Sequence, residues 1–331
     1  MSDWSGVRLH VVTGKGGTGK STVAASLALA LASQGKDVLL CEVEGRQGIA
    51  RMFDVDPLPY AERRIATGLR TNGRPGVVHA LHIDAEDALM EYLSMYYRLG
   101  RAGRALDRFG VVEFATTIAP GVRDVLLTGK VYEAVQRNSR NKGAIEYDAV
   151  VLDAPPTGRI TPFLNVSEEL AGLAKVGPIK KQADTMMTLF RSPRTAVHFV
   201  TVLEEMPVQE TADGIAHLRE AGLPVGGVVV NLVRPRDLLV KDLAAARKGE
   251  LDRAAIGSDL VTAGVDGSDD LLDGLLDEAR DHAVRRALED AQRKLVKGMG
   301  VPTYELPRLA AGIDLGGLYE LAGGLHDQGM S

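Results

Sequence analysis

A glycine-rich run that follows an apolar segment is the clearest chemical signal in the sequence. Residues 14–22 read GKGGTGKST and match the pattern G-x-x-x-x-G-K-[ST]. In such a loop, backbone N–H groups surround a phosphate, the start of the following helix favours negative charge, and a lysine and a hydroxyl contact the phosphates and Mg²⁺. The run therefore predicts a nucleotide site formed by Gly14, Gly16, Gly17, Thr18, Gly19, Lys20, Ser21 and Thr22.

A carboxylate at the end of another apolar run extends this prediction to a metal. Asp153 directly follows the segment YDAVVL. A carboxylate in that position can hold Mg²⁺, with Ser21 as the second protein ligand, and can respond to the γ-phosphate. An aspartate after a strand is also often a turn or helix-cap residue, so the sequence leaves both interpretations open.

The elements that must position these residues alternate between strand and helix. Buried strands are predicted from apolar, β-branched runs at 7–13, 37–43, 147–152, 196–202, 225–231 and 301–305. Helices are predicted at 20–34, 121–137, 207–221 and 268–297, with loops and short helices over 233–270. This alternation predicts an α/β fold with a doubly wound, mostly parallel sheet.

Two helical segments do not fit a simple alternation. Residues 84–118 and 167–192 are rich in Met, Leu, Phe and Tyr and lie between predicted strands. We expect one domain over 1–331, with these insertions forming a helical subdomain. Their apolar side chains suit either a core or an adaptable binding surface.

Composition narrows the class of protein. The 331 residues carry 39 Lys and Arg against 44 Asp and Glu, a net charge of -5, which disfavours nucleic acid as the main partner. No run reaches the roughly 20 apolar residues of a membrane-spanning helix, and no signal peptide is recognisable, so a cytoplasmic protein is expected. The one cysteine, Cys41, allows no intramolecular disulfide and no multi-cysteine metal site.

The early lysine of the loop carries a family resemblance. The run KGGTGKS resembles the deviant phosphate loop of a class of dimeric ATPases that includes the arsenical-pump, tail-anchored-protein-targeting, septum-positioning and plasmid-partition ATPases. The resemblance implies that Lys15 reaches across a dimer to the nucleotide of the partner subunit. A solvated loop lysine is the alternative.

Two further segments resemble the arsenical-pump and tail-anchored-targeting branch. The run DAPPTGR at 153–159 is similar to the switch segment D-T-A-P-T-G-H of that branch, with Ala154 and Arg159 as departures. The resemblance implies ATP and Mg²⁺ as ligands and Asp153 as a switch residue. It also implies that Asn231 hydrogen-bonds adenine and that Pro307 lies in an adenine loop.

The resemblance is weakest at the residue that would orient the attacking water. The run CEVEGRQG at 41–48 places Glu44 on the aspartate of the family switch and Gln47 on its histidine. Glu44 is the candidate base and Glu42 the reserve. Alternatively, both are acids at a strand end with no catalytic role.

The implied function is a Mg²⁺-dependent ATPase that acts as a homodimer, or as a heterodimer with a paralogous subunit. Nucleotide binding and hydrolysis would drive capture or release of a partner, for example a hydrophobic membrane-protein segment held by the helical insertions. Two alternatives stay open: a poorly hydrolysing, nucleotide-gated subunit that needs a paralogue, and the soluble ATPase subunit of an anion transporter.

Overall fold

One mostly parallel sheet organises the protein. The computed structural model describes residues 3–43, 45, 47–69, 73–97, 120–137, 143–165, 178–235 and 238–331. In these ranges the strands are β1 (Leu9–Gly14), β2 (Val38–Glu42), β3 (Arg63–Thr67), β4 (Val77–His82), β5 (Ala149–Asp153), β6 (Thr195–Thr201), β7 (Val225–Val233) and β8 (Thr303–Pro307). They form a sheet in the order β3-β4-β2-β5-β1-β6-β7-β8, in which β3 alone runs antiparallel to its neighbour. The predicted fold class is confirmed.

Helices cover both faces of this sheet. Those in the described ranges are α1 (Lys20–Ser33), α2 (Gly48–Met52), α3 (Ala85–Tyr97), α4 (Pro120–Gln136), α5 (Thr157–Leu164), α6 (Pro178–Phe190), α7 (Glu205–Glu220), α8 (Val240–Lys248), α9 (Arg253–Thr262), α10 (Asp269–Lys297) and α11 (Leu315–Asp327). One core packs the sheet against α4, α5, α6 and α7, and the other packs it against α1, α2 and α11. None of the described helices is long and apolar enough to cross a membrane.

The uniform apolarity of the central strands and of α1 follows from this sandwich. Alternate residues of β1 point into opposite cores, Leu9 and Val11 into one and Val12 into the other. Because parallel strands covered on both faces have no solvated side, their sequences are continuously apolar. Every residue of α1 from Val23 to Ala32 is buried, as expected for a helix that is apolar all round.

The sequence analysis missed β3 and β4. It predicted no strand between residues 43 and 84, and this was wrong. β3 is an antiparallel edge strand whose two arginines, Arg63 and Arg64, are exposed. Half of the β4 residues are only partly buried. A short edge strand with charged side chains lacks the continuous apolar run by which the other strands were recognised.

The described parts of the two insertions are α3 and α6. Residues 98–119 and 166–177, which make up much of the rest of the predicted segments, lie outside the described residues, so a helical subdomain stays a prediction. Among the described apolar side chains that could form a binding surface, Met90 is partly buried, whereas Leu89, Met186, Met187, Leu189 and Phe190 are buried in the core. These side chains therefore pack inside the protein. The prediction of short helices in 233–270 is confirmed by α8 and α9.

Two histidines lie side by side in the core under α1. His10 Nδ1 is 3.1 Å from His198 Nε2, and both residues have no exposed surface. His198 Nδ1 accepts a hydrogen bond from the Gly227 N–H at 3.1 Å. Burial lowers the pKa of His198 to about 3 and, together with the neighbouring ring, lowers the pKa of His10. Both rings are therefore neutral in the folded protein near pH 7.

An ion-pair network around the buried Arg137 joins the end of α4 to the segment before β3. The guanidinium of Arg137, which is 7% exposed, contacts Glu133 at 2.8 Å and Glu62 at 2.5 Å. The hydroxyl of Tyr147 donates to Glu62 at 2.8 Å. Hydrogen bonds to the two carboxylates raise the pKa of Arg137. Arg137 therefore stays charged and holds two acidic groups at the base of the sheet.

Candidate nucleotide site

The candidate residues meet at one edge of the sheet because the strands that carry them are parallel. β5 lies between β1 and β2, and Asp153 pairs in register with Val12 on one side and with Glu42 on the other. The phosphate loop, residues 14–19, follows β1 directly. The carboxyl ends of three neighbouring strands thus bring the loop and two carboxylates together, where ligands bind in open α/β sheets.

The loop backbone is shaped by its glycines. A Cβ on Gly14 would lie 2.2 Å from the carbonyl oxygen of Val200, so the chain can pass β6 only as glycine. Gly17 and Gly19 both have φ of 89°, a region that favours glycine. Within the described residues, no acceptor contacts the N–H of Gly16 or Gly17, and no side chain caps α1. Free N–H groups close to a helix start are an arrangement that suits an anion.

Ser21 and Asp153 form an oxygen pair beside these N–H groups. Ser21 lies in the first turn of α1 and its Oγ donates to Asp153 Oδ2 at 2.5 Å. Asp153 is held by its neighbours, since the Ala154 N–H donates to the Val12 carbonyl at 3.0 Å and Thr13 Oγ1 donates to the Pro155 carbonyl at 2.7 Å. A hydroxyl and a carboxylate are ligands that suit Mg²⁺, so this donor set fits the expected ion.

The remaining loop residues have distinct surroundings. Lys20 is the first residue of α1, and Thr22 Oγ1 lies 3.6 Å from Met52 Sδ. Thr18 Oγ1 donates to the Lys15 carbonyl at 2.9 Å, which closes the loop on itself. Thr22 therefore contacts α2, Lys20 begins α1, and Thr18 belongs to the loop itself.

Asn231 lies directly against the loop. It is 4% exposed and its Nδ2 donates to the Thr18 carbonyl at 3.0 Å. A Cβ on Gly19 would lie 2.3 Å from the same Nδ2. No partner among the described residues contacts the amide oxygen of Asn231, so one edge of the amide is available to a base. Pro307, the second expected adenine residue, is exposed and pairs in register with Val233 of β7.

Lys15 forms an ion pair within its own chain. Its Nζ contacts Glu210 Oε1, and Glu210 lies on α7, 195 residues further along the chain. The two side chains are 32% and 36% exposed, so the pair is at the surface. The sequence analysis assigned no role to Glu210.

In the run 41–48, where the resemblance places the residue that orients water, the described acidic side chain has structural contacts. Glu44, the candidate base, lies outside the described residues. Glu42 is 2% exposed; its Oε1 accepts from the Gly48 N–H at 2.8 Å and its Oε2 is 3.8 Å from His82 Nδ1. Glu42 therefore caps α2.

Gln47 and Arg159 stand where the resembling family has histidines. The Gln47 amide donates to the Leu58 carbonyl at 3.1 Å and accepts from its N–H at 2.7 Å, so it holds the loop before β3. Arg159 on α5 donates to Asp124 of α4 at 3.3 Å, beside a cavity of about 140 Å³. Neither contact resembles that of a residue orienting water.

Comparison with known proteins agrees with this geometry. Residues 7–194 match the family described as anion-transporting ATPase, of the ArsA type. ATPase BagA of Mycobacterium tuberculosis is 53% identical over 326 residues, which are 98% of this chain and 94% of that protein. The arsenical pump-driving ATPase of Escherichia coli is 29% identical over 226 residues, which are 67% of this chain and 34% of that protein.

Proposed function

The chain belongs to the ArsA-type anion-transporting ATPase family, and from that premise we propose that it is a Mg²⁺-dependent ATPase that acts as a nucleotide-switched dimer. The observation that carries the proposal is the pair of free N–H groups at Gly16 and Gly17 beside the Ser21–Asp153 oxygen pair. Anion-binding N–H groups and metal-binding oxygens at one strand edge are the two requirements of a nucleoside triphosphate bound with Mg²⁺.

Each group of the loop has one role in this proposal. The N–H groups of Gly16, Gly17 and Gly19 bind phosphate oxygens, and Lys20 contacts the β- and γ-phosphates. Ser21 and Asp153 hold Mg²⁺, which neutralises charge that develops on the phosphate oxygens. Asn231 presents the free edge of its amide to adenine, with Pro307 on the neighbouring strand.

Lys15 acts on the nucleotide of the partner subunit. Its position at the mouth of the loop and its one-third exposure support this role, because the side chain can leave its present contact without unfolding anything. A second cation on the γ-phosphate stabilises the charge of the transition state, as trans-acting cations do in other phosphoryl-transfer enzymes.

Glu44 orients the attacking water. Support comes from the contacts of the alternative residue, since Glu42 is buried and already bound to the Gly48 N–H. The residue two positions along the chain remains as the carboxylate of this switch.

The proposed partner of the switch is a hydrophobic membrane-protein segment. Capture of this segment rests on the family resemblance, because most of the described apolar side chains of the insertions are in the core. The Escherichia coli relative is named as driving an arsenical pump. Service as the soluble subunit of an anion transporter is therefore the alternative role.

The test compares Mg²⁺-ATP turnover of the purified wild-type chain with that of Lys15→Ala, with nucleotide binding measured separately. We expect the variant to bind nucleotide normally and to lose most of its turnover. Lys241→Ala, which removes an exposed lysine of α8, is the matched control. Turnover per subunit that is independent of protein concentration, together with an active Lys15→Ala variant, contradicts the dimer.

A second candidate function is a subunit that binds ATP but hydrolyses it only with a paralogue. Gln47 favours this second candidate, because its amide makes two hydrogen bonds to the backbone of Leu58. The position of the family histidine therefore has no free side chain. Mixing the chain with its paralogue should then raise turnover per site. An unchanged rate, with no complex formed, rejects this candidate.

A further inference from the structure

The contact between Lys15 and Glu210 is not used in the proposed nucleotide site, yet it involves the lysine that is proposed to act in trans. Glu210 comes from the second turn of α7, which follows β6 at the same edge of the sheet as the loop. A lysine that serves another subunit needs a location while that subunit is absent. The acidic side chain of α7 provides it.

We propose that Glu210 is a positioning residue that holds Lys15 over its own loop in the nucleotide-free chain and releases it when ATP binds and two subunits close. The proposal rests on the proposed function, because release matters only if Lys15 acts in trans. When the subunits close, the triphosphate oxygens of the nucleotide in the partner subunit compete with the Glu210 carboxylate for the ammonium group of Lys15. Nucleotide binding is then what frees the lysine.

The exposure of the pair sets the size of the effect. Both side chains are about one-third exposed, so the pair belongs to the surface class rather than to the buried class. Surface ion pairs of this kind shift an equilibrium by up to about fivefold. We call the Lys15–Glu210 ion pair the latch. A weak latch suits a switch, because a strong ion pair would prevent closure of the two subunits at the nucleotide concentrations that fill the site.

Contacts around Glu210 support a fixed location for its carboxylate. The preceding turn is rigid, because Thr211 Oγ1 donates to the Pro207 carbonyl at 2.8 Å and both residues are buried. On the other side, Lys15 is restrained by the hydrogen bond from Thr18 Oγ1 to its carbonyl. Only the two side chains need to move for the contact to open.

Carbodiimide cross-linking tests the contact directly in the full-length chain. The reagent activates a carboxylate, the neighbouring amine displaces the resulting urea, and an amide bond forms with net loss of water. Mass spectrometry of the nucleotide-free chain should then detect a Lys15–Glu210 link. Addition of Mg²⁺ with a non-hydrolysable ATP analogue should reduce this link at least fivefold.

An internal control is available in the same digest. Lys130 Nζ lies 2.7 Å from Glu91 Oε1, far from the loop in sequence and on other helices. This link should form to the same extent with and without the analogue. Absence of the Lys15–Glu210 link while the Lys130–Glu91 link forms, or an unchanged Lys15–Glu210 link on analogue binding, overturns the proposal.

Self-association gives the second readout. By sedimentation with Mg²⁺ and the analogue, Glu210→Gln should dimerise at a concentration two- to fivefold lower than wild type, because no latch has to open. Glu205→Gln removes an exposed acid from the first turn of the same helix and should behave as wild type. In a Lys15→Ala background, Glu210→Gln should have no effect.

The outcomes separate this proposal from the function on which it rests. If wild type dimerises with the analogue but Glu210→Gln dimerises no more tightly, the latch is wrong and the dimer stands. If wild type does not self-associate with the analogue, the homodimer is wrong, and the cross-link still reports whether nucleotide breaks the contact.

Discussion

Two glycines of the loop allow the packing of Asn231 to be measured apart from backbone strain. Gly17 and Gly19 have the same φ of 89°, a value that is unfavourable for an alanine at either position. That strain costs about 1–2 kcal/mol. The surroundings differ, since a Cβ at Gly17 meets open space and one at Gly19 lies 2.3 Å from Asn231 Nδ2.

The difference between the two variants is therefore the cost of displacing one amide. Gly19→Ala pushes Asn231 away and breaks its 3.0 Å hydrogen bond to the Thr18 carbonyl. Losing that bond costs about 1 kcal/mol. We expect Gly17→Ala to lower the free energy of unfolding by about 1–2 kcal/mol, and Gly19→Ala to lower it by about 2–3 kcal/mol.

Urea unfolding of the nucleotide-free chain is the assay, with equal m-values as the check that the unfolded states are comparable. Asn231→Ala completes a double-mutant cycle, because it removes the obstructing atom. In that background Gly19→Ala should cost no more than Gly17→Ala. Equal destabilisation by the two glycine variants in the wild-type background, or no change of the Gly19→Ala cost when Asn231 is removed, refutes the reasoning.

Three further predictions follow from buried polar groups. The His10–His198 pair should make the free energy of unfolding fall as pH drops below about 6.5, by up to about 1.4 kcal/mol per pH unit for each ring, because only the unfolded chain takes up those protons. Urea midpoints at pH 7.5, 6 and 5 should fall less steeply for His10→Leu than for wild type. An identical fall contradicts this prediction. Glu42→Gln should leave turnover unchanged and change the free energy of unfolding by less than about 0.5 kcal/mol, because the new amide oxygen still accepts from the Gly48 N–H. Glu42→Ala removes that acceptor and should lower the free energy of unfolding by about 1–3 kcal/mol. Lost turnover in a folded Glu42→Gln variant would instead make Glu42 catalytic. Arg137→Met should destabilise by about 1–3 kcal/mol, measured by urea unfolding, because both carboxylates are partly exposed and keep other partners, and Glu62→Gln should restore part of the loss; a loss below about 0.5 kcal/mol would mean that the two carboxylates do not depend on Arg137.

Prediction from sequence succeeded where a single physical pattern dominates. The buried strands and α1 are continuously apolar because they are covered on both sides, and the loop between β1 and α1 has glycines where its backbone requires them, whereas phosphate binding by that loop stays a prediction. β3 was missed because an exposed edge strand with arginines has no such pattern. The exposed edge strand β3 is recognised by its pairing with β4, and this pairing is visible only in the folded chain.

Pairs that are distant in sequence could not be predicted at the site. Nothing in the local sequence indicates that Glu210 contacts Lys15, or that Gln47 is bound to Leu58 instead of facing the nucleotide. The resemblance to the family placed Gln47 at the position of the switch histidine, whereas in the folded chain its amide is hydrogen-bonded to the backbone of Leu58. Glu42 was weighed as a base because it ends a strand, whereas its contact with Gly48 depends on how the chain turns into α2.

The hydrogen bond between Asn231 and Thr18 joins segments that are 213 residues apart and that, in the proposed function, contact opposite ends of a nucleotide. Thermodynamic linkage is reciprocal, so a ligand that tightens this bond from the base end must bind better once the phosphate end is filled, by the same factor as the reverse. Affinity for ATP is then not a sum of separate affinities for base and phosphates. A substitution of Asn231 should even alter the binding of inorganic triphosphate, which has no base to recognise.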